Sequence, residues 1–194
     1  ISQAKEIGYK GIMFSTHPHS IDIIKQISED TNLNTSLDIY PNLPYIQKYV
    51  TGANELGMIG FLYDMIKRGN TKSLLRASKG VLTKNIFSLI KSLIEIELNP
   101  FKKVRMDTIF LHNVLTDMIV SLKLDEILHL YIKYIGENYG VKAGFVTLNF
   151  PKLSKYFLQQ NIENSIVQAP INKVGFQMNP SLDKNLDAIK NFNG

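Results

Sequence analysis

"MDTIFLHNVLTDMIVSL", Met106 to Leu122, changes its period halfway along. Thr108 to Leu111 form a short apolar run of strand length, and the run stops at His112 and Asn113. Apolar residues then return as Leu115, Met118, Ile119 and Leu122, the spacing of one helix face. A strand running straight into a helix is half of a crossover unit, and crossover units build parallel sheets.

The same rhythm continues on both sides. Upstream, "SQAKEIGY" reads as a helix end closed by Gly8, and "KGIMFST" as a strand over 10–16. "SIDIIKQISED" follows as a helix with Ile21, Ile24 and Ile27 on one face and Ser20 as its N-cap. "LNTSLDIYP" reads as the next strand, centred on 35–40 and stopped by Pro41. "PYIQKYVTGANELG" is helical, "MIGFL" (58–62) is a short strand, and the text from Tyr63 to Leu98 is mainly helical. In "NIFSLIKSLIEIEL" the residues Ile86, Leu89, Ile90, Leu93, Ile94 and Leu98 share a face, and Pro100 ends the helix.

Downstream, "DEILHLYIKYIGENYG" is a helix with Asp125 as N-cap and Gly136 or Gly140 as its stop. Strands are expected over 107–112, 144–149 and 165–172. "KLSKYFLQQNI" is a helix, and "SLDKNLDAIKNF" is another, capped by Ser181. Pro170 inside an expected strand predicts a bulge or an edge. About six strand–helix units result, with apolar, weakly alternating strands that suit a sheet buried on both faces. The expected architecture is α/β, a (β/α)8 barrel of TIM type that is incomplete here. Such barrels typically need about 250 residues, and this chain has 194. The chain therefore reads as one partial barrel domain over 1–194, part of a longer protein whose last strands are missing. An open barrel edge would favour self-association into a homo-oligomer.

"FLHNVLTDM", "GFVTLNFP" and "NKVGFQMNPS" resemble segments of a mainly archaeal, uncharacterised family of TIM-barrel proteins with no settled reaction. The resemblance spans most of the chain. It implies the barrel fold and further strands beyond Gly194, and it implies no particular chemistry.

Composition bounds the function classes. The chain is 44% hydrophobic and 20% charged, with a formal net charge of +5 and no cysteine. Disulfides and cysteine-based metal clusters are excluded. A reducing cytoplasm is the expected compartment. No apolar run reaches the roughly 20 residues that span a bilayer, so no membrane is expected as a partner. The basic residues are scattered and no nucleic-acid module is visible, so none is expected there either. A small-molecule substrate is the expected partner, and net positive charge favours an anionic one.

Active groups of parallel barrels stand at the C-terminal ends of strands. Those positions hold His17 and His19, Asp38 and Tyr40, His112 and Asn113, Asn149, and Asn172 with Lys173. Lys173 is the notable one, because a lysine desolvated at a strand end can act as a neutral amine and form a Schiff base. Asp38 and Tyr40 share a strand face, with Asp38 as a natural counter-charge for that lysine. Lys173, Asp38 and His112 are thus the expected catalytic set. His17, His19, Tyr40, Asn113, Asn149 and Asn172 are expected to bind substrate. The reading is a lyase or aldolase type of enzyme for a small anionic carbonyl compound.

Two alternatives compete. The His-x-His pair of His17 and His19 suits a metal-dependent hydrolase, but that chemistry needs more ligands. The later strands end in Asn149, Asn172 and Lys173, and only His112 and His129 remain. No metal site is therefore expected. A non-catalytic barrel is the other alternative. No cofactor is specified, since barrels hold flavins and nicotinamides without a short motif.

Overall fold

The structure, a computed structural model, describes residue 3, residues 6–45 and residues 86–192. The expected helix over 44–57 lies outside these residues beyond Tyr45. The strand expected at 58–62 lies outside them entirely. The architecture is α/β, with parallel strands alternating with helices. The chain divides into two compact units, Ile1–Asp107 and Thr108–Gly194.

In the first unit, β1 (Gly11–Ser15) and β2 (Asp38–Leu43) pair in parallel from Gly11 opposite Asp38 to Ser15 opposite Asn42. Two helices cross between them, α1 (Pro18–Glu29) and α2 (Thr31–Ser36). The α1 stripe buries Ile24 and Ile27 completely against the core of Leu37, Ile39, Leu98 and Phe101. The N-cap of α1 is His17 rather than Ser20, and Pro18 occupies the first turn, where its missing N–H costs nothing. The segment read as a strand from Leu33 is helical as far as Ser36. Asp30 explains this, because its Oδ1 accepts from the N–H groups of Asn32 and Leu33 and starts a new helical turn. Pro41 does not stop β2, which runs on to Leu43, since extended backbone tolerates proline's fixed φ.

Gly11 has a specific cause. A Cβ there would lie 2.4 Å from the Tyr40 ring and 2.6 Å from the Asp38 carbonyl oxygen. Helix α3 (Ile86–Leu98) follows, tightened by a single 3-10 turn, Asn99–Phe101, that contains Pro100. Ile39 also forms an isolated parallel bridge to Met106.

In the second unit, β3 (Thr108–Leu111), β4 (Lys142–Val146) and β5 (Ile166–Gln168) form a parallel ladder in that order. Helices α4 (Asn113–Leu122) and α5 (Asp125–Tyr139) cross from β3 to β4, and α6 (Phe150–Gln159) crosses from β4 to β5. Helix α7 (Leu182–Lys190) comes last, capped by Ser181 as expected. The core stacks edge-to-face rings, with Tyr131 to Phe145 at 5.6 Å and Phe145 to Phe157 at 5.0 Å. The buried Tyr131 hydroxyl donates to the Ile109 carbonyl at 2.6 Å, and burial pushes its pKa well above the usual tyrosine value. Gly140 closes α5 in the left-handed conformation at φ 65°. Asp125 is the first residue of α5 rather than its cap, and its carboxylate accepts from the Tyr156 hydroxyl.

Two strands are displaced from expectation. β4 ends at Val146, not Asn149, and β5 is only three residues long, not eight. Among the described residues no helix is long and apolar enough to cross a membrane.

Candidate functional site

The C-terminal ends of β1 and β2 gather a polar cluster within the first unit. Its foundation is Glu97 on α3, only 1% exposed. The Glu97 carboxylate accepts from the Thr16 hydroxyl, and from the Tyr45 N–H at 3.3 Å. Thr16 is the residue just past β1, and Tyr45 lies two residues past β2. One buried acid therefore joins the two loops that carry His17, His19 and Tyr45. A buried carboxylate is stable only with such partners.

Above it, His17 ends the β1 segment and begins α1. Its Nδ1 accepts the His19 N–H at 3.2 Å. The His17 ring lies 5.1 Å from the His19 ring and meets the Tyr45 ring edge-on at 5.2 Å. Because Nδ1 is an acceptor here, the proton of neutral His17 sits on Nε2. His17 is thus a hydrogen-bond donor held at a fixed angle, and His19 is an exposed imidazole beside it.

This tautomer bears on the metal reading. A metal ion on Nε2 would require the Nδ1–H form, which would set N–H against N–H at the helix cap. Among the described residues no group of three or more His, Asp or Glu side chains is placed to hold a metal ion. Among the described residues, His17 and His19 are joined by no third side chain of the kind the hydrolase alternative needs.

Asp38 and Tyr40 are not with this cluster. Asp38 opens β2 instead of ending it, four residues before Asn42. At roughly 3.3 Å per residue that is about 13 Å along the strand. Asp38 pairs instead with Arg105, Oδ1 to Nε 2.6 Å. The Tyr40 pKa is raised, first by burial and then by the Asp38 and Asp107 carboxylates, with Arg105 opposing.

In the second unit His112 repeats the local design of His17. It follows a parallel strand, caps the next helix, and accepts the Val114 N–H on Nδ1 at 3.3 Å. Burial lowers its pKa. Asn113 is the first residue of α4. Asn149 caps α6 by accepting the Lys152 N–H at 3.2 Å. Asp117 on α4 reaches across to the loop after β4. It accepts from the Thr147 hydroxyl, and from the Leu148 N–H at 3.1 Å. That grip holds the loop after β4, where the Thr147 N–H still donates to the Gln168 carbonyl at 3.0 Å and Leu148 turns to Asp117.

Asn172 and Lys173 lie beyond β5 in a closed loop. The Asn172 amide donates to the Phe176 carbonyl at 2.8 Å and accepts the Phe176 N–H at 2.9 Å. Gly175 turns the chain at φ 69°. Asn172 is therefore occupied in bracing the loop, and Lys173 is exposed on its turn.

Sequence reasoning missed Thr16, Tyr45 and Glu97. One signal was present: Glu97 stands three residues after Ile94 and seven after Ile90, on the apolar stripe of α3. An acid at such a position must be buried with partners. Comparison with protein-family models, curated proteins and solved structures finds no match.

Proposed function

We propose that the chain is an α/β enzyme acting on a small, anionic carbonyl compound in a lyase type of reaction, with His17 and His19 as its acid–base pair. The observation that carries the reading is the His17 ring, whose Nδ1 accepts the His19 N–H, which leaves the proton of the neutral ring on Nε2 beside a second imidazole. In the proposed step the substrate carbonyl oxygen accepts from His17 Nε2–H. A ring nitrogen of His19 removes a proton from the adjacent carbon, and the enolate charge rests on the oxygen held by His17. Neutral imidazole is an effective electrophile for this purpose. Thr16 and Glu97 hold the loop in place from below. The net charge of +5 supports an anionic substrate. Lys173 has no part in this step, because a Schiff-base lysine needs a desolvated amine and Lys173 is exposed.

We also assign the parallel βα order to a (β/α)8-type barrel, in keeping with the mainly archaeal TIM-barrel family that the three segments resemble. Strand C-terminal ends are the active face of such barrels.

The test is hydrogen–deuterium exchange at the carbon next to the carbonyl, followed by proton NMR in D2O with pyruvate and a set of small 2-oxo acids. Any enolate-forming lyase catalyses this half-reaction. The expected result is exchange above the buffer rate, reduced at least about 100-fold in His17→Asn. Asparagine also caps helices, so the fold is kept. Absence of exchange in the wild-type protein over the whole set, or full exchange by His17→Asn, refutes the proposal.

A further inference from the structure

The second unit carries a cleft on the side where α6 and α7 end, and it belongs to no part of the cluster described above. Its volume is about 530 Å3, within the usual size of small-ligand sites. Its apolar lining is Phe157, Leu158, Ile162, Ala188 and Phe192, interleaved with Ser154 and the amides of Asn161, Asn164 and Asn191. Phe192 is seated by an edge-on contact with Phe150 at 5.1 Å. The rim carries two charged residues of opposite sign, Lys155 on α6 and Glu163 on the loop that follows.

The end of α6 shapes one side of this cleft. Helix α6 ends in a Schellman motif. Asn161 takes the left-handed conformation at φ 52°, its N–H donates to Leu158, and the Ile162 N–H donates to the Phe157 carbonyl at 2.9 Å. The motif folds Ile162 back toward Phe157, and Glu163 follows it onto the rim. Leu158 is 77% exposed at this place. Lys155 and Glu163 form no ion pair with each other or with any other described residue.

We propose that this cleft binds a free apolar α-amino acid. The chemistry of the rim and floor selects that class. Lys155 offers an ammonium to a carboxylate, Glu163 offers a carboxylate to an ammonium, and the rings and Leu158 take an aliphatic or aromatic side chain. An apolar acid satisfies only Lys155, and an apolar amine satisfies only Glu163. A zwitterion with an apolar side chain meets all three walls at once and leaves neither rim charge facing a bare apolar surface.

The experiment titrates the full chain with L-leucine and records backbone amide NMR spectra. 4-Methylpentanoate and isopentylamine serve as single-charge analogues of the same shape. The expected result is a saturable shift of the Asn161, Glu163 and Asn191 amides, with a dissociation constant on the order of 1 mM or tighter. Each analogue should bind at least about tenfold more weakly. Lys155→Met and Glu163→Gln should each weaken leucine about tenfold, and Ala188→Trp should block it by filling the cleft. Lys155 and Glu163 are exposed, so their variants keep the fold, and the same spectra report it. The proposal is overturned by unsaturable or scattered shifts, by an analogue that binds as well as leucine, or by wild-type affinity in both charge variants.

Discussion

His112 makes the stability of the second unit depend on pH in a direction that the structure specifies. Its Nδ1 holds the N-terminus of α4 through the Val114 N–H, and its ring is partly buried. Burial disfavours the imidazolium, so the native pKa lies below the ordinary histidine value. The unfolded chain takes up a proton as pH falls through about 6.5, while the native ring resists protonation. In that window the unfolded state binds more protons, so stability rises with pH and falls on acidification. The contribution is fully present above about pH 6.5 and is lost as pH falls through the lowered native value.

Two substitutions separate the cap from the titration. His112→Ala removes the cap at every pH and should cost about 1 kcal/mol. His112→Asn keeps a capping oxygen but cannot titrate, so its stability should fall less than wild type between pH 7.5 and 5. Urea denaturation at several pH values measures both, and NMR titration of the His112 ring reads its midpoint directly. Equal pH slopes for wild type and His112→Asn, or a His112 midpoint above 6.5, would refute the reasoning.

Substitutions at three other positions test the packing within each unit. Glu97→Leu leaves the Thr16 hydroxyl and the Tyr45 N–H without their acceptor and should cost roughly 2–4 kcal/mol, with Glu97→Gln costing less; thermal unfolding reads the difference. Asp117→Ala removes the acceptor of Thr147 and Leu148 and should cost about 2 kcal/mol, with faster amide exchange at Leu148. Gly11→Ala drives a methyl group into the Tyr40 ring and the Asp38 carbonyl, so denaturation should show a loss of about 1–3 kcal/mol.

Periodicity alone determined the α/β class, because parallel strands and their crossover helices each write a regular pattern of apolar residues. "TIFL" followed by "LTDMIVSL" is legible as β3 and α4, and Gly140 and Ser181 mark helix ends through purely local geometry. Local pattern also placed His17, His112 and Asn149 at strand ends, where the structure has them capping helices. Strand boundaries were not legible wherever a side chain from elsewhere holds the backbone. Asp117 reaches 30 residues along the chain to hold the loop after β4, and Asp30 turns an expected strand into α2. The end of β2 on which Asp38 lies followed from a shift of a few residues, and that shift moved it from the expected site to an ion pair with Arg105. The cluster around Glu97 could be assembled only in three dimensions. Its bond to Thr16 spans 81 residues of sequence, and a hydrogen bond between groups so far apart leaves no periodic trace, because only the folded backbone brings donor and acceptor together.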